Sequence, residues 1–161
     1  MAGYFRPITA AAVSELSDLL GERYVATDPE EMEPYSHDET EDLRFMPEAV
    51  ARPASTAEVS GIMQIAAREK FPVTPRGGGT GLSGGALPVC GGLVLSTERM
   101  NGIETIDRAN LAAEAGAGAI TETFQNEVEG EDLFYPPDPA SRGSCTLGGN
   151  VAECAGGPRA L

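Results

Sequence analysis

The residues with the clearest chemical potential lie between Pro75 and Ala86, which read PRGGGTGLSGGA and include six glycines. Because glycine has no side chain, several backbone N–H groups in such a segment can approach and surround one anion. Thr80 and Ser83 add hydroxyl donors, and Arg76 adds a positive charge beside the loop. A flexible surface loop is the alternative, but the combination of these residue types favours an anion-binding loop.

The loop can be compared with two familiar nucleotide-binding motifs. Gly79, Gly81 and Gly84 match G-x-G-x-x-G by letter, but that fingerprint requires a helix that begins inside the motif. Here the chain continues through Pro88 and further glycines, which a regular helix does not accommodate. A Walker lysine is also missing, since no lysine follows Lys70. We therefore expect the backbone amides of an irregular loop to bind the anion.

Charge is distributed very unevenly along these 161 residues, whose formal net charge is −14. Nine carboxylates and one arginine lie between Asp28 and Glu48, and six carboxylates with no basic residue lie between Glu122 and Asp138. The glycine-rich stretches 72–97 and 139–152 contain one arginine each and no carboxylate. Low charge density in tight loops is one explanation, and an anion held against both loops is the other. The overall negative charge argues against a nucleic-acid partner.

A strand–helix–strand unit is predicted to position the first loop. Ala49–Arg52 and Pro72–Pro75 are short strand candidates, and Ser55 with Glu58 forms a capping box between them. Two such strands should be parallel with a right-handed crossover, which places the loop at the carboxyl end of a strand. The helix runs to about Lys70, and its apolar face is Val59, Ile62, Met63 and Ala66.

Several shorter elements complete the predicted organisation. Thr9 is the expected N-cap of a helix that ends at Leu20, with Val13 on its inner face. The acidic segment 28–42 has no periodicity and is predicted to be a solvated surface loop, with a surface for a binding partner as the alternative. A third helix is predicted over Ala119–Glu129. Further strands are predicted at Leu93–Thr97, Ile103–Asp107, Leu111–Ala115 and Leu133–Tyr135.

Two long motifs resemble a known family. PRGGGTGLSGGA is similar to the pyrophosphate loop of FAD-binding oxidoreductases of the vanillyl-alcohol oxidase and p-cresol methylhydroxylase type, especially the branch of the glycolate oxidase flavin subunit and FAD-linked D-lactate dehydrogenases. YPPDPASRGSCTLGGNVAECAGGPRAL resembles the second flavin-contacting stretch of that branch, and the likeness begins at about Tyr35. The resemblance implies an α+β fold that forms the N-terminal part of a two-subdomain FAD-binding domain.

The resemblance also implies which residues bind FAD. The first loop would hold the pyrophosphate through Pro75, Arg76, Gly77, Gly78, Gly79, Thr80, Gly81, Leu82 and Ser83. The second stretch would line the flavin and its ribityl chain with Asp138, Ser141, Ser144, Cys145, Thr146, Gly148, Gly149 and Asn150. A tight turn that enters a short helix is the alternative for TLGGN. Some family members attach FAD through a histidine in the first loop, and since this loop has none, non-covalent FAD is expected.

The division of the chain follows from the same likeness. We expect an N-terminal helix and acidic segment over 1–47 and a truncated FAD-binding portion over 48–161, with the cap domain that binds substrate absent. Catalytic residues are therefore expected outside this chain, which alone should be inactive. His37 is predicted to be a surface or carboxylate-paired residue, and Cys90 and Cys154 are predicted to be small packing residues.

The function implied by the resemblance is the oxidation of a 2-hydroxy acid by hydride transfer to FAD. A separate acceptor (an iron–sulfur subunit, an electron-transfer flavoprotein or a quinone) would take the electrons. A stand-alone acidic module that binds a phosphate ligand or a protein is the alternative, and an NADPH-using cell-wall reductase is the closer enzymatic rival. Without a signal peptide, membrane span or disulfide framework in the sequence, a cytoplasmic protein is expected.

Overall fold

Two uninterrupted apolar segments form the centre of a mainly parallel sheet. In the computed structural model, which describes residues 5–159, every residue of β2 (Ala49–Ala51) and β4 (Leu93–Ser96) is buried. β4 pairs in parallel with both β2 and β3 (Val73–Arg76), and β1 (Val25–Ala26) pairs antiparallel with β2. The strand order is β1-β2-β4-β3. The predicted parallel direction of β2 and β3 is confirmed, although β4 lies between them.

The first helix has the predicted ends. The Thr9 hydroxyl accepts a hydrogen bond from the Ala12 amide at 3.2 Å, and α1 (Ala10–Leu20) stops at Gly21, whose φ is +93°. Val13, predicted on the inner face, is only partly buried. The buried face instead follows the i, i+4, i+8 spacing of Ala12, Leu16 and Leu20.

The crossover helix α3 (Thr56–Glu69) begins at the predicted cap. The Ser55 hydroxyl accepts from the Glu58 amide at 3.2 Å, whereas the Glu58 carboxylate accepts at 2.7 Å from the backbone amide one residue before Ser55. The cap thus differs from a standard capping box in that the glutamate accepts from the amide before the N-cap residue rather than from the amide of the N-cap residue itself. The prediction that Met63 faces the core is wrong: Met63 is exposed and Ile65 is buried.

The two faces of the sheet are covered by different parts of the chain. α1 and α3 cover one face in a core cluster that includes Leu16, Ile62 and Leu93. Met32, at the end of α2 (Pro29–Met32), packs with the opposite face. The prediction of a solvated surface loop over 28–42 is therefore only partly confirmed, because most of the segment is exposed but Met32 and Asp38 are buried and the segment begins with a helix. A 3₁₀ turn at Glu33–Tyr35 continues it.

The remaining elements follow β4. β5 (Ile103–Asp107) and β6 (Ala112–Ala115) form an antiparallel hairpin, and two helices follow, α4 (Thr121–Glu129) and α5 (Leu147–Ala152). The strand predicted at Leu133–Tyr135 is wrong, since this segment is irregular.

The mixture of helices and strands confirms the predicted α+β class. The division at residue 47 stays a prediction, although β1 from the first part pairs with β2 from the second. Within residues 5–159 no helix has the length and apolar character needed to cross a membrane.

Candidate functional site

A cavity of about 440 Å³ lies where the two glycine-rich stretches meet. Its volume falls within the range of ordinary small-molecule clefts. The residues predicted to bind FAD that line it are Pro75, Arg76, Gly77, Gly78, Gly79, Thr80, Gly81, Leu82, Ser141, Cys145, Thr146, Gly148, Gly149 and Asn150. Segments more than 50 residues apart in the sequence therefore form one site.

The first loop supplies a row of backbone donors. Residues 77–83 lie between β3 and the irregular chain before β4, and none of their seven amide N–H groups donates a hydrogen bond to a residue that the structure describes. Unpaired amides at the wall of a cavity are suited to an anion, because each N–H needs an acceptor. The prediction that this loop holds no regular helix is confirmed.

Close contact between the two stretches explains the need for glycine. A Cβ atom on Gly78 would lie 2.1 Å from the carbonyl oxygen of Ser144, so any side chain there would push the stretches apart. Gly79 has a φ of +69°, and a Cβ on it would lie 2.1 Å from a guanidinium nitrogen of Arg76. The loop is thus held directly against both the second stretch and Arg76.

Arg76 lies beneath the loop rather than free within it. Its guanidinium donates to the carbonyl oxygens of His37 at 2.7 Å and Pro34 at 3.0 Å, and it lies 5.8 Å from the centre of the Tyr35 ring. Burial lowers the pKa of Arg76, an effect that the nearby Asp38 carboxylate opposes. The arginine therefore places positive charge below Gly79, while its hydrogen bonds anchor the loop to the acidic segment.

The second stretch forms a wall at which the amides of residues 147–150 are already paired. The Thr146 hydroxyl caps α5 by accepting from the Gly149 amide at 3.2 Å, and the Leu147 and Gly148 amides donate to carbonyls of residues 119 and 117. The alternative considered for TLGGN, a turn into a short helix, is the observed local structure. The same residues also line the cavity. Because its amides are occupied, this wall can offer flat backbone surface and side chains, but few backbone donors.

Three of the predicted binding residues do not line the cavity. Asp138 accepts from Arg142 at 2.9 Å, and this hydrogen bond lowers the pKa of its carboxyl group. The Ser144 hydroxyl donates to the carbonyl oxygen of Ser141 at 3.2 Å, and the Ser83 hydroxyl donates to Glu153 at 2.7 Å. Arg142 also pairs with Glu122 at 3.3 Å, so the second stretch does not present its arginine to an anion in this structure.

Some residues at the cavity carried no recognised signal in the sequence. Glu153 places a carboxylate at the wall, hydrogen-bonded to the first loop, and its position shows only once α5 is known. The other lining residues outside the prediction are Gly85, Ala86, Thr97, Ala117, Pro139, Ala152 and Ala155. Most of these are small, which leaves room along the backbone.

The remaining candidate groups lie elsewhere. The ring of His37 lies 4.0 Å from the Glu33 carboxylate, as expected for a carboxylate-paired surface residue. Cys145 is buried at the cavity, but Cys90 and Cys154 are exposed, so their prediction as packing residues is wrong. Over residues 5–159 no cluster of histidine, cysteine and carboxylate side chains could hold a metal ion.

Comparison with known proteins identifies the family to which this domain belongs. The FAD binding domain family matches residues 47–161, which is most of the chain. The chain belongs to this family. Its first loop and second stretch are therefore parts of an FAD-binding domain, and the predicted family and cofactor are confirmed.

Two curated relatives of this FAD-binding domain are similar along much of its length. The glycolate oxidase subunit GlcD of Bacillus subtilis is 46% identical over 79% of the chain and 27% of its own length. The D-lactate dehydrogenase of Anaerostipes hadrus is 34% identical over 98% of the chain and 33% of its own length. The chain thus spans about a third or less of these relatives.

A solved structure supports the fold. Substrate-bound p-cresol methylhydroxylase superimposes with a TM-score of 0.76 at 23% identity, over 89% of this chain and 30% of that one. At this identity the likeness shows the fold alone, and it confirms the predicted vanillyl-alcohol oxidase and p-cresol methylhydroxylase architecture.

Proposed function

We propose that the intact protein oxidises a 2-hydroxy acid of the glycolate or D-lactate type by hydride transfer to non-covalently bound FAD. The single observation that carries the proposal is the cavity where the unpaired backbone amides of Gly77–Leu82 lie opposite the second stretch, most of whose amides are paired. The similarity to glycolate oxidase subunit GlcD and D-lactate dehydrogenase supports the substrate class. When bound, FAD supplies the two-electron chemistry, and the protein supplies binding and orientation.

Two parts of the cavity fit two different parts of FAD. The amides of 77–83 match a diphosphate, because they are grouped, unpaired and close to the positive charge of Arg76. The backbone at Gly148 and Gly149 lacks side chains and matches the flat isoalloxazine ring, and Asn150 offers its amide to the ring edge or the ribityl chain. Together these parts support the predicted residues that line the cavity, whereas Ser83, Asp138 and Ser144 stay predictions.

The position of the single histidine in this chain supports non-covalent attachment. The His37 ring lies against Glu33 and does not line the cavity, and the first loop contains no histidine. Denaturing the purified protein should therefore release all of its flavin into the supernatant. Flavin that stays with the precipitated polypeptide would contradict non-covalent binding.

The remaining features of the proposal concern the rest of the protein. The groups that bind the substrate carboxylate and remove its hydroxyl proton would lie outside this chain, which alone should bind FAD weakly and turn over no substrate. Electrons would pass to an iron–sulfur subunit, an electron-transfer flavoprotein or a quinone. We also propose that the protein is cytoplasmic, because the three cysteines of this chain are free thiols, as is usual in that compartment.

The decisive experiment uses the intact protein purified with FAD. Glycolate, D-lactate and D-2-hydroxyglutarate should be added under anaerobic conditions while the visible flavin absorbance is recorded. We expect at least one of them to bleach the absorbance, whereas p-cresol should not. Protein that retains no FAD, or FAD that none of these acids reduces, would refute the proposed function.

A further inference from the structure

Thr121 is completely buried beside the cavity and has no place in the predicted site. It is the first residue of α4, and its amide donates to the carbonyl oxygen of Cys145 at 3.1 Å. Its hydroxyl lies 3.3 Å from the same carbonyl oxygen and 2.7 Å from Nδ2 of Asn150. One hydroxyl group therefore connects two residues of the second stretch.

The Thr121 hydroxyl has three polar neighbours, two on Cys145 and one on Asn150. Its single proton can be donated to the Cys145 carbonyl oxygen at 3.3 Å or to Cys145 Sγ at 3.2 Å, and in the second contact the thiol can also be the donor. In the structure the Thr121 oxygen accepts from Nδ2 of Asn150, whose NH₂ group points toward Thr121. This fixes the orientation of the Asn150 amide and leaves its Oδ1 as a hydrogen-bond acceptor at the cavity.

We propose that Thr121 is a positioning residue that fixes the Asn150 amide so that its Oδ1 accepts a hydrogen bond from an N–H or O–H group of bound FAD. The inference rests on the proposed function, because it requires FAD in this cavity. Asn150 is 6% exposed, so an amide without its partner would have to turn or stay unpaired. FAD binding would then have to restore the orientation that Thr121 provides in the wild type.

Five variants distinguish this positioning role from a purely structural role of Thr121. Thr121→Val keeps the shape and removes the hydroxyl, whereas Thr121→Ser keeps the hydroxyl. Thr123→Val is the matched control, because Thr123 is exposed on the same helix. Asn150→Ala and the double variant T121V/N150A show whether Thr121 acts through Asn150.

The experiment measures FAD dissociation constants by fluorescence titration of the intact flavin-free protein, together with the visible absorption bands of each complex. We expect T121V to weaken FAD binding about tenfold or more and to shift the absorption bands. T121S and T123V should stay within about threefold of wild type, and T121V should add less than about twofold in the N150A background.

Several results would overturn the inference. Wild-type affinity with an unshifted spectrum in T121V would remove any role for the hydroxyl, and T121S as weak as T121V would show that only shape matters. If T121V does not fold, T121A removes the hydroxyl without placing a methyl group against Cys145, and the same outcomes apply. Wild-type protein that binds no FAD would refute the proposed function instead.

Discussion

Gly81 allows folding and FAD binding to be tested separately. A Cβ atom added to this residue would meet no protein atom within 4 Å, and the backbone there lies outside the left-handed region. Its carbonyl oxygen accepts from the Glu39 amide at 3.1 Å, a bond that alanine retains. Gly81→Ala therefore introduces a methyl group at the cavity without disturbing the protein around it.

This substitution should make the flavin-free protein more stable and at the same time weaken its binding of FAD. Replacing a glycine by alanine where the backbone is compatible raises the free energy of unfolding by about 0.4–1 kcal/mol, because the unfolded chain loses conformational freedom. A methyl group between the loop and a closely packed ligand should cost about 1–3 kcal/mol of binding. That cost corresponds to an FAD dissociation constant roughly 5–150 times higher.

The assay combines thermal unfolding of the flavin-free protein with fluorescence titration of FAD. Gly102→Ala is the matched control, since Gly102 also has no atom within 4 Å of its added Cβ and does not line the cavity. Both variants should melt at or slightly above the wild-type temperature, and only G81A should bind FAD more weakly.

One result would refute the reasoning directly. If G81A melts like G102A and also binds FAD with wild-type affinity, the loop does not contact the cofactor. If G81A loses FAD only because it unfolds at a lower temperature than wild type, the space around Gly81 is not open and the structural premise is wrong.

Three further predictions follow from contacts around the cavity. Gly78→Ala, whose Cβ would lie 2.1 Å from the Ser144 carbonyl oxygen, should lower the free energy of unfolding by about 1–3 kcal/mol in denaturant titrations; unchanged stability would contradict this contact. Arg76→Lys loses a guanidinium bonded to two backbone carbonyls and should cost at least about 1.5 kcal/mol, seen as a lower melting temperature, and a wild-type melt would argue against the anchor. The hydrogen bond from Arg142 lowers the pKa of Asp138 in the folded protein. The ionised Asp138 therefore stabilises the fold at pH values above its unfolded-state pKa of about 3.9, and this stabilisation is lost as the pH falls through its folded-state pKa. Asp138→Asn should accordingly lose less stability than wild type between pH 6 and pH 3 in urea unfolding, and equal losses would contradict this linkage.

Local sequence signals predicted the elements that position the site. Thr9 and Ser55 begin their helices because a hydroxyl followed by an apolar helical pattern satisfies free amides at short range. The glycine-rich loop and TLGGN were recognisable because close backbone contact leaves glycine as the residue that fits, as at Gly78. These signals depend on neighbours in the sequence, so they can be recognised without knowledge of the fold.

Long-range packing accounts for what the sequence did not predict. No local pattern shows that β4 lies between β2 and β3, or that Met32 covers the second face of the sheet. Arg76 was predicted beside the loop, but its carbonyl partners are about 40 residues away, so their role depends on the tertiary fold. Thr121 carried no signal because its partners belong to a different segment of the chain.

We propose above all that backbone amides of the first loop hold the diphosphate of FAD while the second stretch lies against the flavin ring. A crystal structure of the intact protein with FAD tests this most directly. We predict the pyrophosphate within hydrogen-bond distance of amides of residues 77–83, and the isoalloxazine ring or ribityl chain against residues 144–150. FAD bound elsewhere, with the cavity between these two stretches empty, would contradict it.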